Sequence, residues 1–128
     1  MIEFLITFAI YLSGLAYETG YASHYSPHVM AATIEARQGW EQLPQDLSGY
    51  AGFVARPHCD EIGDTVWLRA YGEGNYKPYL VADCAVRDGS DGALSWMLDN
   101  NIPIELDYDS AVKLDAIGGG LKIEMLKE

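Results

Sequence analysis

The sequence is poor in basic residues, in sulfur and imidazole groups, and in long apolar runs. Lysine and arginine together number 8 against 19 aspartates and glutamates, a net charge of −11 at pH 7. So acidic a surface repels phosphate backbones and anionic headgroups, which argues against nucleic acid as a partner. The two cysteines and three histidines fall into no zinc spacing, so neither a metal nor an organic cofactor is expected. No G-x-x-x-x-G-K-[ST], G-x-G-x-x-G or G-x-S-x-G occurs, which sets aside nucleotide, dinucleotide and serine-hydrolase chemistry. The longest apolar stretch, Phe4 to Ala16, has 13 residues. A comfortable membrane span needs roughly 20, so no stable span is expected.

What is present is one domain's worth of ordinary globular chain. With 128 residues, 49% of them apolar, a single core can form, and the composition argues against a disordered chain. The Phe4–Ala16 run has the length of a signal-peptide core, with Gly14 and Ala16 at the small-residue positions before a cut. Glu3 stands where a basic residue is usual. Two readings follow: residues 1–16 are an export signal and the domain spans 17–128, or the run is a buried element of the domain. Export would place the chain in a secreted, periplasmic or extracellular setting. There Cys59 and Cys84 would pair as a disulfide, closing a loop of about 25 residues worth roughly 3 kcal/mol. In a cytosolic chain they would be free buried thiols.

The pattern predicts many short strands and a few short helices. Ser26-Pro27 and the following HVMAATIEARQ predict a helix capped by Ser26 and stopped at Gly39, with Met30, Ile34 and Arg37 on one face. Strands are expected at Phe53–Ala55, Thr65–Arg69, Tyr79–Ala82, Ile102–Leu106 and Leu121–Met125, with a hairpin turn at Gly72–Asn75. Leu94, Met97 and Leu98 mark a second helix ending at Asn101, and Asp107 is the expected N-cap of a third over Tyr108–Leu114. Trp67 and Trp96 lie on apolar patterns and are expected in the core. This composition suggests a small β-barrel.

From Gly20 onward the order of elements resembles the double-psi β-barrel of rare lipoprotein A, expansins and family 45 endoglucanases. Gly20-Tyr21-Ala22-Ser23-His24-Tyr25 resembles the G-x-A-S-x-Y opening of rare lipoprotein A domains. Val54–Leu68 is similar to the loop that leads through glycine into a strand. Leu80–Cys84 resembles a V-x-V-x-D segment, and Glu105–Leu114 with the later glycines and last strand resembles the D-L-S-x-x-A-A-x-x-L-G ending. The resemblance implies a mainly β fold, a six-stranded double-psi β-barrel with short helical insertions. It also implies a groove that acts on cell-wall glycan. In one alignment Glu105 takes the position of the family's acid; in another Asp107 does. The helix at residues 27–38 replaces the family's TA-x-G stretch.

Glycoside chemistry needs one carboxylic acid to protonate the leaving oxygen, and inverting hydrolysis needs a second carboxylate to activate water. Glu105 is the expected acid, and Asp83 the orienting group or second carboxylate. Asp107 is explained by its capping position. Tyr25 and Tyr108 offer rings that could stack on sugar, or could be core. His58 beside Cys59 suggests a nucleophile pair only weakly, since neighbours on a strand face opposite ways. His24 and His28 lack a third ligand. The sequence thus predicts a protein acting on peptidoglycan or another polysaccharide, as a lytic transglycosylase or glycosidase-like enzyme with a single acid. The alternatives are a non-catalytic expansin-like binding module, or a structural domain such as a virion or surface component.

Overall fold

A computed structural model describes residues 15–85, 92–116 and 120–127. The proposed export segment and the polar loop at 87–91 lie outside the described residues, apart from Leu15 and Ala16. Six strands close into one mixed barrel: β1 (Ala16–His24), β2 (Gly52–Arg56), β3 (Thr65–Ala70), β4 (Lys77–Cys84), β5 (Ile104–Leu106) and β6 (Leu121–Lys127). Around the barrel the order is β1-β5-β2-β4-β3-β6. The pairs β1/β5 and β2/β4 are parallel and the other four antiparallel.

Alternation fills the barrel. Ala22, Val54, Val66, Leu68, Val81, Ile104, Leu106, Ile123 and Met125 point inward and form one apolar cluster. Their outward neighbours are more polar, as period-two alternation requires. Closure leaves no unpaired sheet edge. The β3–β4 hairpin turns through Gly72 and Gly74, both at positive φ, as the sequence predicts.

Among the described residues three α-helices dress the barrel: α1 (Val29–Gly39), α2 (Gly92–Asp99) and α3 (Tyr108–Lys113). Met30 and Ile34 of α1 pack on Leu80 and Ala82 of β4 in a second cluster outside the barrel. The expected cap at Ser26 does not form. The residue before α1 is His28, left-handed at φ 71° and with no side-chain cap bond. Pro27 instead precedes that turn, and Ser26 accepts from Val29 N at 3.3 Å. At the other end Gly39 is still helical, and Glu41 at φ 61° makes the left-handed turn.

Asp107 caps α3 as expected, and it does more. Oδ2 accepts from Ser110 N at 3.2 Å, while Oδ1 accepts from Phe53 N at 2.9 Å and from the Ser110 hydroxyl. One carboxylate thereby ties α3 to β2. The junction leaves no room for a side chain at Gly52, where a Cβ would stand 1.9 Å from Ser110 Oγ. Buried Tyr79 lies nearby. Burial, and then the Asp107 charge, push its phenol above the ordinary value.

Arg56, 5% exposed, sits at the end of β2. It donates to Pro103 O at 2.6 Å and pairs with Glu18 and Glu61, each at 3.1 Å. Lys127 adds a bond to Glu61 at 2.6 Å. Burial pushes the Glu61 carboxyl up, but Lys127 and Arg56 outweigh it and hold it below the usual range.

The two tryptophans expected in the core are not there. Trp67 is 39% exposed and Trp96 48%. Trp67 lies between inward Val66 and Leu68, so alternation turns it out of the barrel.

Candidate functional site

The site expected from Asp83 and Glu105 lies on the outer face of the barrel, on β4 and β5, with β2 between them. The register explains how. Val54 pairs with Val81, but Ala55 pairs with Asp83, so β4 carries one extra residue, Ala82. This β-bulge shifts the phase of β4. Val81 points inward, Ala82 meets α1, and Asp83 also reaches the outer layer. Ala55 pairs on its other side with Glu105, and Glu105 with Ser23. Ser23, Glu105, Ala55 and Asp83 thus form one row across β1, β5, β2 and β4. Strands stand about 4.8 Å apart, so roughly 10 Å separates the backbones of Glu105 and Asp83.

Asp83 is fully buried and held by two elements. Arg37 of α1 pairs with Oδ1 at 2.6 Å, and the Tyr25 hydroxyl donates to Oδ2 at 2.5 Å. Arg37 occupies the position seven residues beyond Met30, two turns along the same helix face. Its apolar companions bury while its guanidinium crosses to the bulge. The left-handed Glu41 brings the chain back, so that Gln42 N bonds Arg37 O at 2.9 Å and Gln42 Oε1 accepts from Arg37 Nη1 at 2.6 Å. With both oxygens engaged, Asp83 is suited to orient and not to deliver a proton.

Beside this pair runs a cleft of about 810 Å³, bordered by Arg37, Trp40, Gln42, Ile62, Asp83 and the disulfide. The Cys59–Cys84 bond is present, with Cα atoms 4.9 Å apart. It pins the turn Cys59–Glu61 to the end of β4, next to Asp83. Trp40, 66% exposed, stands at the rim.

Glu105 is half-buried on β5, flanked in its row by the small side chains of Ser23 and Ala55. Tyr25 follows directly on β1, its N–H bonded to Leu106 O at 2.8 Å. It packs against the outer cluster of α1. Tyr108 begins α3, with its ring edge-on to His24 at 6.1 Å. It borders a smaller recess of about 210 Å³ with His28, Phe53, Asp107 and Asp109. Of the expected residues, the fold joins Asp83 and Tyr25 by a hydrogen bond, sets Glu105 in the same row two strands from Asp83, and places Tyr108 at a neighbouring recess. Among the described residues no group of three His, Cys, Asp or Glu side chains could hold a metal ion.

Sequence reasoning did not find Arg37 as the partner of Asp83 or Gln42 as its support. The signal was a lone cation on the apolar face of a helix. Compared with known protein families and with curated proteins, the chain matches none.

Proposed function

We propose that the chain is an exported double-psi β-barrel domain that acts on cell-wall glycan as a single-acid lytic transglycosylase. The observation that carries this reading is the Ser23–Glu105–Ala55–Asp83 row: a half-buried carboxyl group between small side chains, beside a second carboxylate locked by Arg37 and Tyr25. The closed six-stranded mixed barrel and the disulfide accord with the double-psi type and with an oxidising compartment.

The chemistry follows from one acid. Glu105 gives its proton to the glycosidic oxygen as the bond from the anomeric carbon to that oxygen breaks. A hydroxyl of the same sugar adds to the anomeric carbon and returns its proton to Glu105. No water needs activation, so Asp83 is not asked to act as a base. Asp83 instead fixes Tyr25 and Arg37 at the groove.

An expansin-like binding role is the second reading. It is favoured over hydrolysis, because both Asp83 oxygens are engaged and that carboxylate is unsuited to activate water. Incubation of the chain with insoluble peptidoglycan and with cellulose separates the two. An enzyme releases soluble sugar, and a binding module pellets without product.

A further inference from the structure

On the outer face of β1, β6 and β3, a different part of the barrel wall, register arranges three rows. Tyr17, Leu126 and Trp67 form one, and Thr19, Glu124 and Arg69 the next. Tyr21 and Lys122 form the third, extended by Tyr71, whose N–H bonds Lys122 O at 3.0 Å. The corners of this grid are aromatic and open: Tyr17 38%, Tyr21 47%, Trp67 39% and Tyr71 42% exposed. Residues four apart on a strand are about 13 Å apart, and two strand spacings are about 10 Å. The four rings therefore frame an area that a few pyranose rings would cover.

Two of the four rings, Tyr17 and Tyr71, are held in place before anything binds. Glu124, 7% exposed, accepts from Gly72 N at 2.7 Å, from the Tyr17 hydroxyl at 2.8 Å and from Arg69 at 3.0 Å. Arg69 lies 4.5 Å over the ring of Tyr76, and Lys122 lies 4.2 Å over the ring of Tyr71. A preorganised aromatic surface loses little freedom on binding. Its centre is polar and fully bonded, which suits a hydroxyl-rich ligand better than an apolar protein face.

Charge selects the ligand further. The chain carries −11 overall, yet within these rows Arg69 and Lys122 stand with one carboxylate, Glu124. Arg69 is paired with Glu124. Among the described residues Lys122 pairs with no carboxylate, and its ammonium rests on Tyr71. We propose that this face binds a carboxylate-bearing polysaccharide, with sugar faces on Tyr17, Tyr21, Trp67 and Tyr71 and a sugar carboxylate at Lys122. This site is separate from the Asp83 cleft and stands whether or not Glu105 is an acid.

Affinity electrophoresis of the full chain through gels containing polygalacturonate tests it, with fully methyl-esterified polygalacturonate as the uncharged counterpart. Polygalacturonate should retard the chain more strongly than the ester. Tyr21 and Trp67 make no side-chain hydrogen bond among the described residues, so their truncation spares the fold, as circular dichroism would verify. Tyr21→Ala and Trp67→Ala should each weaken retardation about tenfold. Lys122→Gln should bring polygalacturonate down to the level of the ester. Equal retardation by the two polymers, or by native chain and Trp67→Ala, overturns the proposal. So does concentration-dependent dimerisation lost in Trp67→Ala, which would give the face to a second copy of the chain.

Discussion

Asp83 and Glu105 stand in one cross-strand row with only Ala55 between them. The bulge at Ala82 creates that row. Without the extra residue in β4, the partner of Ala55 would be Ala82, and Asp83 would face the apolar interior. A single inserted residue therefore decides whether Asp83 reaches the outer face. It also brings Asp83 to Arg37, so the row and the seating of α1 depend on the same irregularity.

The buried ion pair makes a direct prediction. Arg37→Met removes the cation that pairs with the buried Asp83 carboxylate, and breaking such a pair costs about 3–5 kcal/mol. Urea unfolding should record that loss. The double variant with Asp83→Leu should recover much of it, because no unpaired charge remains. A loss under about 1 kcal/mol for Arg37→Met would mean that the pair holds little.

At the α3 junction, Gly52→Ala drives a Cβ into Ser110 Oγ, Asp107 Oδ1 and Tyr79, at 1.9, 2.9 and 2.9 Å. Overpacking of this kind costs about 1–3 kcal/mol. Asp107→Ala removes a helix cap and also orphans Phe53 N–H, together about 2 kcal/mol. Thermal melts should place both variants well below the native chain. A native-like melt for Gly52→Ala would show that α3 can lift away freely.

Stability should depend on pH through Glu124 and Glu61. Burial pushes the Glu124 carboxyl up, but the Gly72 N–H, the Tyr17 hydroxyl and Arg69 outweigh it, so its folded value lies below the ordinary 4.5. A group lowered by folding stabilises the protein above its unfolded value and loses that contribution as pH falls through the folded value. Glu61 behaves alike. The melting temperature should thus fall below about pH 4.5, and Glu124→Gln should flatten part of the fall. At the alkaline end, burial and the Glu124 bond raise the Tyr17 phenol. Its contribution is full below its ordinary 10.0 and drains as pH rises beyond it. Tyr17→Phe should remove part of the alkaline slope, the buried Tyr79 phenol keeping the rest.

The disulfide should contribute about 3 kcal/mol by closing its loop. Melts with and without a phosphine reductant read it, and the reduced chain should unfold at lower temperature. Because Cys84 follows Asp83, reduction should also quench or shift Trp40 fluorescence at the cleft rim. Identical melts and spectra would mean that the bond is incidental to the site.

Much of the barrel was legible in the sequence. Thr65–Leu68 and Tyr79–Val81 show their β-branched and aromatic character, and Gly72 and Gly74 mark the hairpin between them. Asp107 was legible as a cap, since one residue before a two-turn helix accounts for it. The bulge was not, because an extra residue in a continuous apolar run has no compositional mark. The tryptophans misled because an apolar pattern was read as burial without assigning its faces. Trp67 sits between two inward residues, and strict alternation alone assigns it outward. The His28 turn was hidden by Ser26-Pro27, which has the form of a cap without its geometry. Partnerships such as Arg37 with Asp83 and Tyr17 with Glu124 span 46 and 107 residues, and no local pattern encodes them.

The central claim is that Glu105 is the acid. The most direct measurement is release of soluble sugar from insoluble peptidoglycan by the native chain, by Glu105→Gln and by Asp83→Asn, with each variant's fold and pelleting checked alongside. The account predicts product from the native chain and none above background from Glu105→Gln, with pelleting unchanged. It predicts reduced but measurable product from Asp83→Asn. Undiminished product from Glu105→Gln, or no product from the native chain, would contradict it.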